Sequence, residues 1–209
     1  MTSLAAIGLR LHSGWAASVL MAQEPASQSE PKLIGRRRIM LCELPHSKQP
    51  YHAAENMMVR EAEEFIARCR AATITLAIQA LERLREEAGT RKLAGAGLAA
   101  SAISRLPDLR DILNSHALIH AAEGVFYREA LIEAAESSGI KAHAITHRAA
   151  SNFLDGPAAR GVSELLGRIG KAAGPPWTVD EKCACLAALS LLPGPARKFR
   201  LAELDEPVN

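Results

Sequence analysis

The sequence predicts an α/β fold on a mixed sheet, with a three-stranded antiparallel meander followed by a β-α-β unit and C-terminal helices. Three observations carry this expectation: two short apolar runs joined by a Ser-Gly turn, a long stretch of helix formers, and a later alternation of strand-like and amphipathic segments. With 209 residues, 48% of them hydrophobic, the chain can bury one core. It reads as a single domain over 1–209, with the core over about 4–192 and a C-terminal tail over 193–209.

The apolar runs are Ala5 to Leu11 and Ala16 to Ala22, with Ser13 and Gly14 supplying the turn. Gln23 to Pro31, rich in Ser, Glu and Pro, is an exposed loop, and Lys32 to Cys42 resumes a strand. Arg36, Arg37 and Arg38 fall within that third strand, where charge protects a sheet edge from unwanted pairing. They are also the candidate nucleic-acid-binding residues, because guanidinium groups suit phosphates. Pro45 and Pro50 bracket a loop, after which His52 to about Ala88 is a long helix closed by Gly89. Its apolar positions Met58, Ala62, Phe65, Ile66, Cys69, Ala72, Leu76 and Leu84 recur mostly at steps of three and four, which makes a core-facing stripe.

Leu93 to Ser101 is almost wholly Ala, Gly and Leu, and fits a loop or a weak helical turn. His116 to Ala122 then reads as a strand, Val125 to Ser137 as a helix and Ile140 to Thr146 as a strand, which together form the β-α-β unit. Helices follow over about Val162 to Ala173 and Thr178 to Leu192, the last opened by a capping box of Thr178 and Glu181. Phe65, Leu76, Ile119, Leu131 and Leu186 are expected in the core.

Lys and Arg number 25 against 23 Asp and Glu, so the net charge of +2 neither demands nor excludes a polyanion and leaves nucleic acid open as a partner. Homo-oligomer assembly is left open too. Cys42, Cys69, Cys183 and Cys185 lack the paired CxxC spacing of a structural zinc site, so free thiols are expected, the last two packed in the core. Arg10 and His12 break the apolar N-terminus, and no run of about 20 apolar residues is free of charge. The expectation is a cytoplasmic protein with no membrane span. Neither a dinucleotide-binding glycine loop, a P-loop nor a nucleophile elbow is present.

This order of elements, with Glu123 in AEG and Asp180 in VDEK, resembles the ribonuclease H-like fold and, within it, the Holliday-junction resolvase branch, over about 4–192. The resemblance implies two metal ions, Mg or Mn, held by carboxylates at the ends of the first and fourth strands and at the start of the last helix, for phosphodiester hydrolysis. It makes Glu123 and Asp180 the candidate catalytic residues, and His12, Glu123 and Asp180 the candidate metal ligands. The first strand, AIGLRLHSG, carries no acid, whereas two divalent ions need several carboxylates to offset their charge. The expected function is therefore a catalytically degenerate binding or assembly module. The alternative is a metal-dependent nuclease with a histidine-substituted carboxylate site.

Further candidates are His52 and Glu55 in HAAE, His120, and Lys182 as a phosphate contact. If helical, HxxxHxxE over His116, His120 and Glu123 would place all three groups near one face and could bind zinc. As a strand it would hold the two histidines about 13 Å apart, too far for one ion. The strand reading disfavours that site. On the implied fold, His12, His120, Glu123 and Asp180 converge on a polar concavity at the strand ends.

Overall fold

The structure, a computed structural model, describes residues 2–25, 30–44, 47–100, 105–146 and 160–194, together with 148, 150, 152, 155 and 156. β1 (Leu4–His12) and β2 (Trp15–Gln23) pair antiparallel from Leu4 opposite Gln23 to His12 opposite Trp15. Only Ser13 and Gly14 separate them, and Gly14 takes the positive φ of +79° that such a tight hairpin requires. β3 (Lys32–Met40) adds antiparallel to β2, while β4 (Lys92–Ala100) lies parallel to β1 and β5 (Ala142–Thr146) parallel to β4. The sheet order is β3-β2-β1-β4-β5, so β3 with its arginines is an edge strand. The helices are α1 (Pro50–Ala54), α2 (Val59–Ala88), α3 (Leu109–Leu113), α4 (His116–Ser137), α5 (Arg160–Ala173) and α6 (Val179–Leu189). This is an α/β, ribonuclease H-like mixed sheet, as the element order predicts.

The order holds while one strand changes place. The fourth strand is Lys92–Ala100, not His116 to Ala122, which instead opens α4. β4 lies between two parallel neighbours and is buried continuously from Gly95 to Ala100, so it shows no alternation of apolar and polar residues. α4 buries residues around much of its circumference, among them Ile119, Ala122, Val125 and Tyr127, so it lacks the one-sided stripe that identifies a surface helix. Ser115, whose hydroxyl accepts from Leu118 N at 3.5 Å, caps its start. Glu123 consequently sits about two turns into a helix and not at a strand end.

The expected long helix is divided into α1 and α2. α2 buries Ala62, Ile66, Cys69, Thr73, Ala77, Leu81, Leu84 and Ala88. That face follows the helical repeat through Thr73 and Ala77, each one position on from Ala72 and Leu76. Ala72 is therefore exposed, Phe65 and Leu76 are half-buried, and Met58, the residue before the helix, is 78% exposed. Ile119, Leu131 and Leu186 are fully buried as expected.

The two faces of the sheet are packed differently. Ile7, Leu9, Leu20 and Leu98 share a core with α2 and α4, including Leu81, Leu84, Phe126 and Leu131. Ala6, Val19 and Ala99 share the other with α5 and α6. On this second face Gly8 and Gly97, partners in the β1–β4 register, lie directly beneath α6. A Cβ on Gly8 would come within 1.9 Å of the Ala184 carbonyl oxygen, and one on Gly97 within 2.3 Å of that of Ala187. The last helix thus rests on sheet backbone. Thr178 and Glu181 form the expected capping box at its start, and Cys183 and Cys185 are buried free thiols. No helix among the described residues is long and apolar enough to cross a membrane.

Candidate functional site

Strand alternation puts Arg10 and His12 on the same side of β1 as Gly8, the side covered by α6. There His12 Nε2 lies 2.9 Å from Asp180 Oδ1, and Arg10 Nε lies 3.8 Å from the same oxygen. The carboxylate is thus partnered by two basic side chains. His12 also stacks on Trp15, with ring centroids 4.2 Å apart and planes 6° from parallel. The Arg38 guanidinium sits 3.7 Å from the centre of the Trp15 ring. Its neighbours on β3 are engaged within the protein: Arg36 donates to the carbonyls of Ala173, Pro175 and Pro176, and Arg37 pairs with Glu87.

Glu123 approaches from the opposite face of the sheet. Its Oε1 accepts from the backbone N–H groups of Tyr51 at 2.8 Å and His52 at 3.2 Å, and lies 3.4 Å from His52 Nδ1. Those N–H groups belong to the first turn of α1, whose N-cap residue Gln49 makes no side-chain cap, so Glu123 from α4 takes that part. Its other oxygen, Oε2, is buried without a hydrogen-bond partner among the described residues. Burial pushes the Glu123 carboxyl above the usual range, and the donors from His52 and Tyr51 pull it partly back.

Beside this carboxylate stand three histidines. His116 and His120 are one helical turn apart on α4 with Nε2 atoms 3.0 Å from each other. The His52 ring centre is 5.4 Å from that of His116 and 4.7 Å from that of His120. The objection to a metal here rested on a strand at this position, and the helix removes it. Glu55, the other candidate in HAAE, is an exposed residue at the end of α1. Lys182 lines a separate hollow with Trp177 and Asp155.

A concavity of about 230 Å³ at the end of β1 is lined by Arg10, His12, His120, Glu123 and Tyr127, among others. Tyr127 hydroxyl donates to Lys48 O at 2.8 Å, and burial holds its proton on more firmly than in water. Asp180 belongs to an adjoining groove with Trp15, Arg38 and Glu181. Three members of the expected quartet therefore share the concavity, and the fourth is joined to it through His12. The separation follows from the sheet, since α4 and α6 cover opposite faces and bring their acids from opposite sides.

The donors at the sheet end do not fit a pair of Mg or Mn ions. β1 and β4 contribute no acid, and the next one after β4, Asp108, accepts from Asp111 N at 3.0 Å to cap α3. Asp180 is matched by Arg10 and His12. Glu123 spends Oε1 on the start of α1. Hard divalent ions bound by protein oxygens require more free carboxylate than this.

No protein-family model matches the chain, and no curated protein does. Among solved structures, the Thermus thermophilus RuvC structure is similar at 13% identity and a TM-score of 0.49, over 95% of this chain and 97% of that one. T. thermophilus RuvC in complex with a Holliday junction substrate is similar at 15% identity and a TM-score of 0.48, over 95% of each chain.

Proposed function

We propose that this chain is a ribonuclease H-like domain without two-metal hydrolysis, working as a binding or assembly module. The observation that supports this reading is the state of Asp180. It is the acid on the last helix at the sheet end, and its Oδ1 is held by His12 and approached by Arg10. The strand end thus sets an arginine and a histidine on its acid where a pair of divalent ions would need free carboxylates. Arg38, held over the Trp15 ring on the arginine-bearing edge strand, suits phosphate, so nucleic acid is the proposed partner.

The alternative, a nuclease with histidines in place of carboxylates, draws support from the concavity shared by His12, His120 and Glu123. One experiment separates the two readings. Purified protein is incubated with branched DNA, duplex DNA or RNA in Mg²⁺ or Mn²⁺. The proposal expects retention of nucleic acid that weakens with added salt and with Arg38→Ala, and no cleavage. Ion-dependent cleavage that disappears in Asp180→Asn would overturn it and establish the nuclease.

A further inference from the structure

We propose that His52, His116 and His120 form a binding site for one divalent cation of the zinc class, with Glu123 as the residue that positions His52. The site shares His120 and Glu123 with the concavity at the end of β1, and the proposal does not rest on the reading of Asp180.

The geometry comes first. One nitrogen from each of the three imidazoles lies within 4.8 Å of the other two. Zinc–nitrogen bonds of about 2.0–2.1 Å in a tetrahedral arrangement place two ligand nitrogens about 3.3 Å apart. The Nε2 atoms of His116 and His120 are 3.0 Å apart, so this pair needs only a slight opening to receive an ion. A nitrogen of His52 lies within 4.8 Å of one on each of the other two rings. His116 and His120 are exposed, so both rings are free to adjust and the ion has an entry path from solvent.

The elements that bring these rings together are fixed independently of any ion. His116 and His120 share one face of α4 through their four-residue spacing. His52 is placed by α1, whose first turn is pinned to α4 through Glu123. This pinning supplies the second observation. A carboxylate beside the Nδ1 of a histidine is the usual outer support of a metal-bound imidazole, because it orients the ring and leaves Nε2 for the ion. Glu123 Oε1 stands 3.4 Å from His52 Nδ1, and its Oε2 is buried with no hydrogen-bond partner among the described residues. The carboxylate is 3% exposed, so its place against His52 is fixed by the surrounding core.

The donor set selects the ion. Three neutral imidazoles with no direct carboxylate suit Zn²⁺, Co²⁺, Ni²⁺ or Cu²⁺ and do not suit Mg²⁺ or Ca²⁺, which demand oxygen ligands. Three protein ligands leave a fourth tetrahedral position for water or for a donor atom from a partner.

The test uses the whole chain, stripped with a chelator and titrated with Zn²⁺ by calorimetry and with Co²⁺ by absorption. The expected result is one ion per chain and a tetrahedral Co²⁺ spectrum without the intense near-ultraviolet band of a thiolate ligand, which excludes the cysteines. His116→Ala and His120→Ala should each weaken binding by at least about 100-fold, and Glu123→Gln by about 10–100-fold, while Asp180→Asn leaves it unchanged. Because His116 and His120 are exposed, their variants keep the fold, which circular dichroism verifies. Failure to take up one equivalent, or uptake that survives the His116→Ala/His120→Ala double variant, would overturn the proposal. So would a thiolate band.

Discussion

The two faces of the sheet solve the same packing problem with opposite materials. Toward α2 and α4, branched and aromatic side chains fill the space, with Ile7, Leu9, Leu20 and Leu98 meeting Leu81, Leu84, Phe126 and Leu131. Toward α6, backbone meets backbone over Gly8 and Gly97, with alanines between. The first face tolerates adjustment of volume through side-chain rotation, and at Gly8 and Gly97 the second has no side chain to move. The contrast extends to the polar groups. On the α6 face the acid is matched by His12 and Arg10, whereas on the α4 face a buried carboxylate beside three histidines keeps one oxygen without a partner among the described residues.

The contrast in packing is broken most directly by volume changes of opposite sign. Leu131→Ala on the filled face should cost about 2–5 kcal/mol through the cavity it leaves. Gly8→Ala on the bare face, which adds a single methyl group, should cost about 3 kcal/mol, because the Ala184 carbonyl can retreat only if the whole helix does. Chemical denaturation of both variants checks this pair. A Gly8→Ala cost below that of an ordinary surface substitution would show that α6 is free to lift.

The contrast in charge is sharpened by pH. Burial raises the Glu123 carboxyl, so the folded protein holds this proton more tightly than the unfolded chain. Stability from this group is then fully present below the unfolded carboxylate pKa of about 4.3 and is lost as pH rises through the higher folded value. Glu123→Gln removes the loss, so its melting temperature relative to the unsubstituted protein should rise between acid and neutral pH in metal-free buffer. A difference that is flat or falls with pH would show that Glu123 is not held under burial strain.

The smallest expected effect concerns the start of α6. Thr178→Ala removes the hydroxyl that accepts from Asp180 N and should cost about 1 kcal/mol. If the sheet contact alone places Asp180, the His12–Asp180 pairing survives, as the chemical shifts of His12 would report.

Much of the α6 face was legible in the sequence. Thr178 and Glu181 announce the last helix by local chemistry, and Ser13-Gly14 announces the hairpin. The α4 face was much less so. β4 offers no alternation because both its faces are buried, and α4 offers no stripe because it is buried around much of its circumference, so a short apolar run at His116 to Ala122 passed for the missing strand. The histidine cluster was lost with that assignment, since HxxxH shares a helical face only once the helix is known. His52 could not be joined to it from spacing, as its approach depends on a contact between α1 and α4 across 71 residues of chain. The cap at Ser115 was the available signal.

The glycine pair beneath α6 also bears on how the chain reaches its native state. The His12–Asp180 contact spans 168 residues, so this part of the sheet stays uncovered during synthesis until α6 has been made. Long-range closure of that kind slows folding and prolongs the life of partly built intermediates. What waits in the meantime is a face where Gly8, Gly97, Ala6 and Ala99 lie among Val19, Met21 and Ile145, so the glycines and alanines lessen the apolar area open to another nascent chain. A backbone bed for the last helix therefore also limits the risk of aggregation while that helix is still being made.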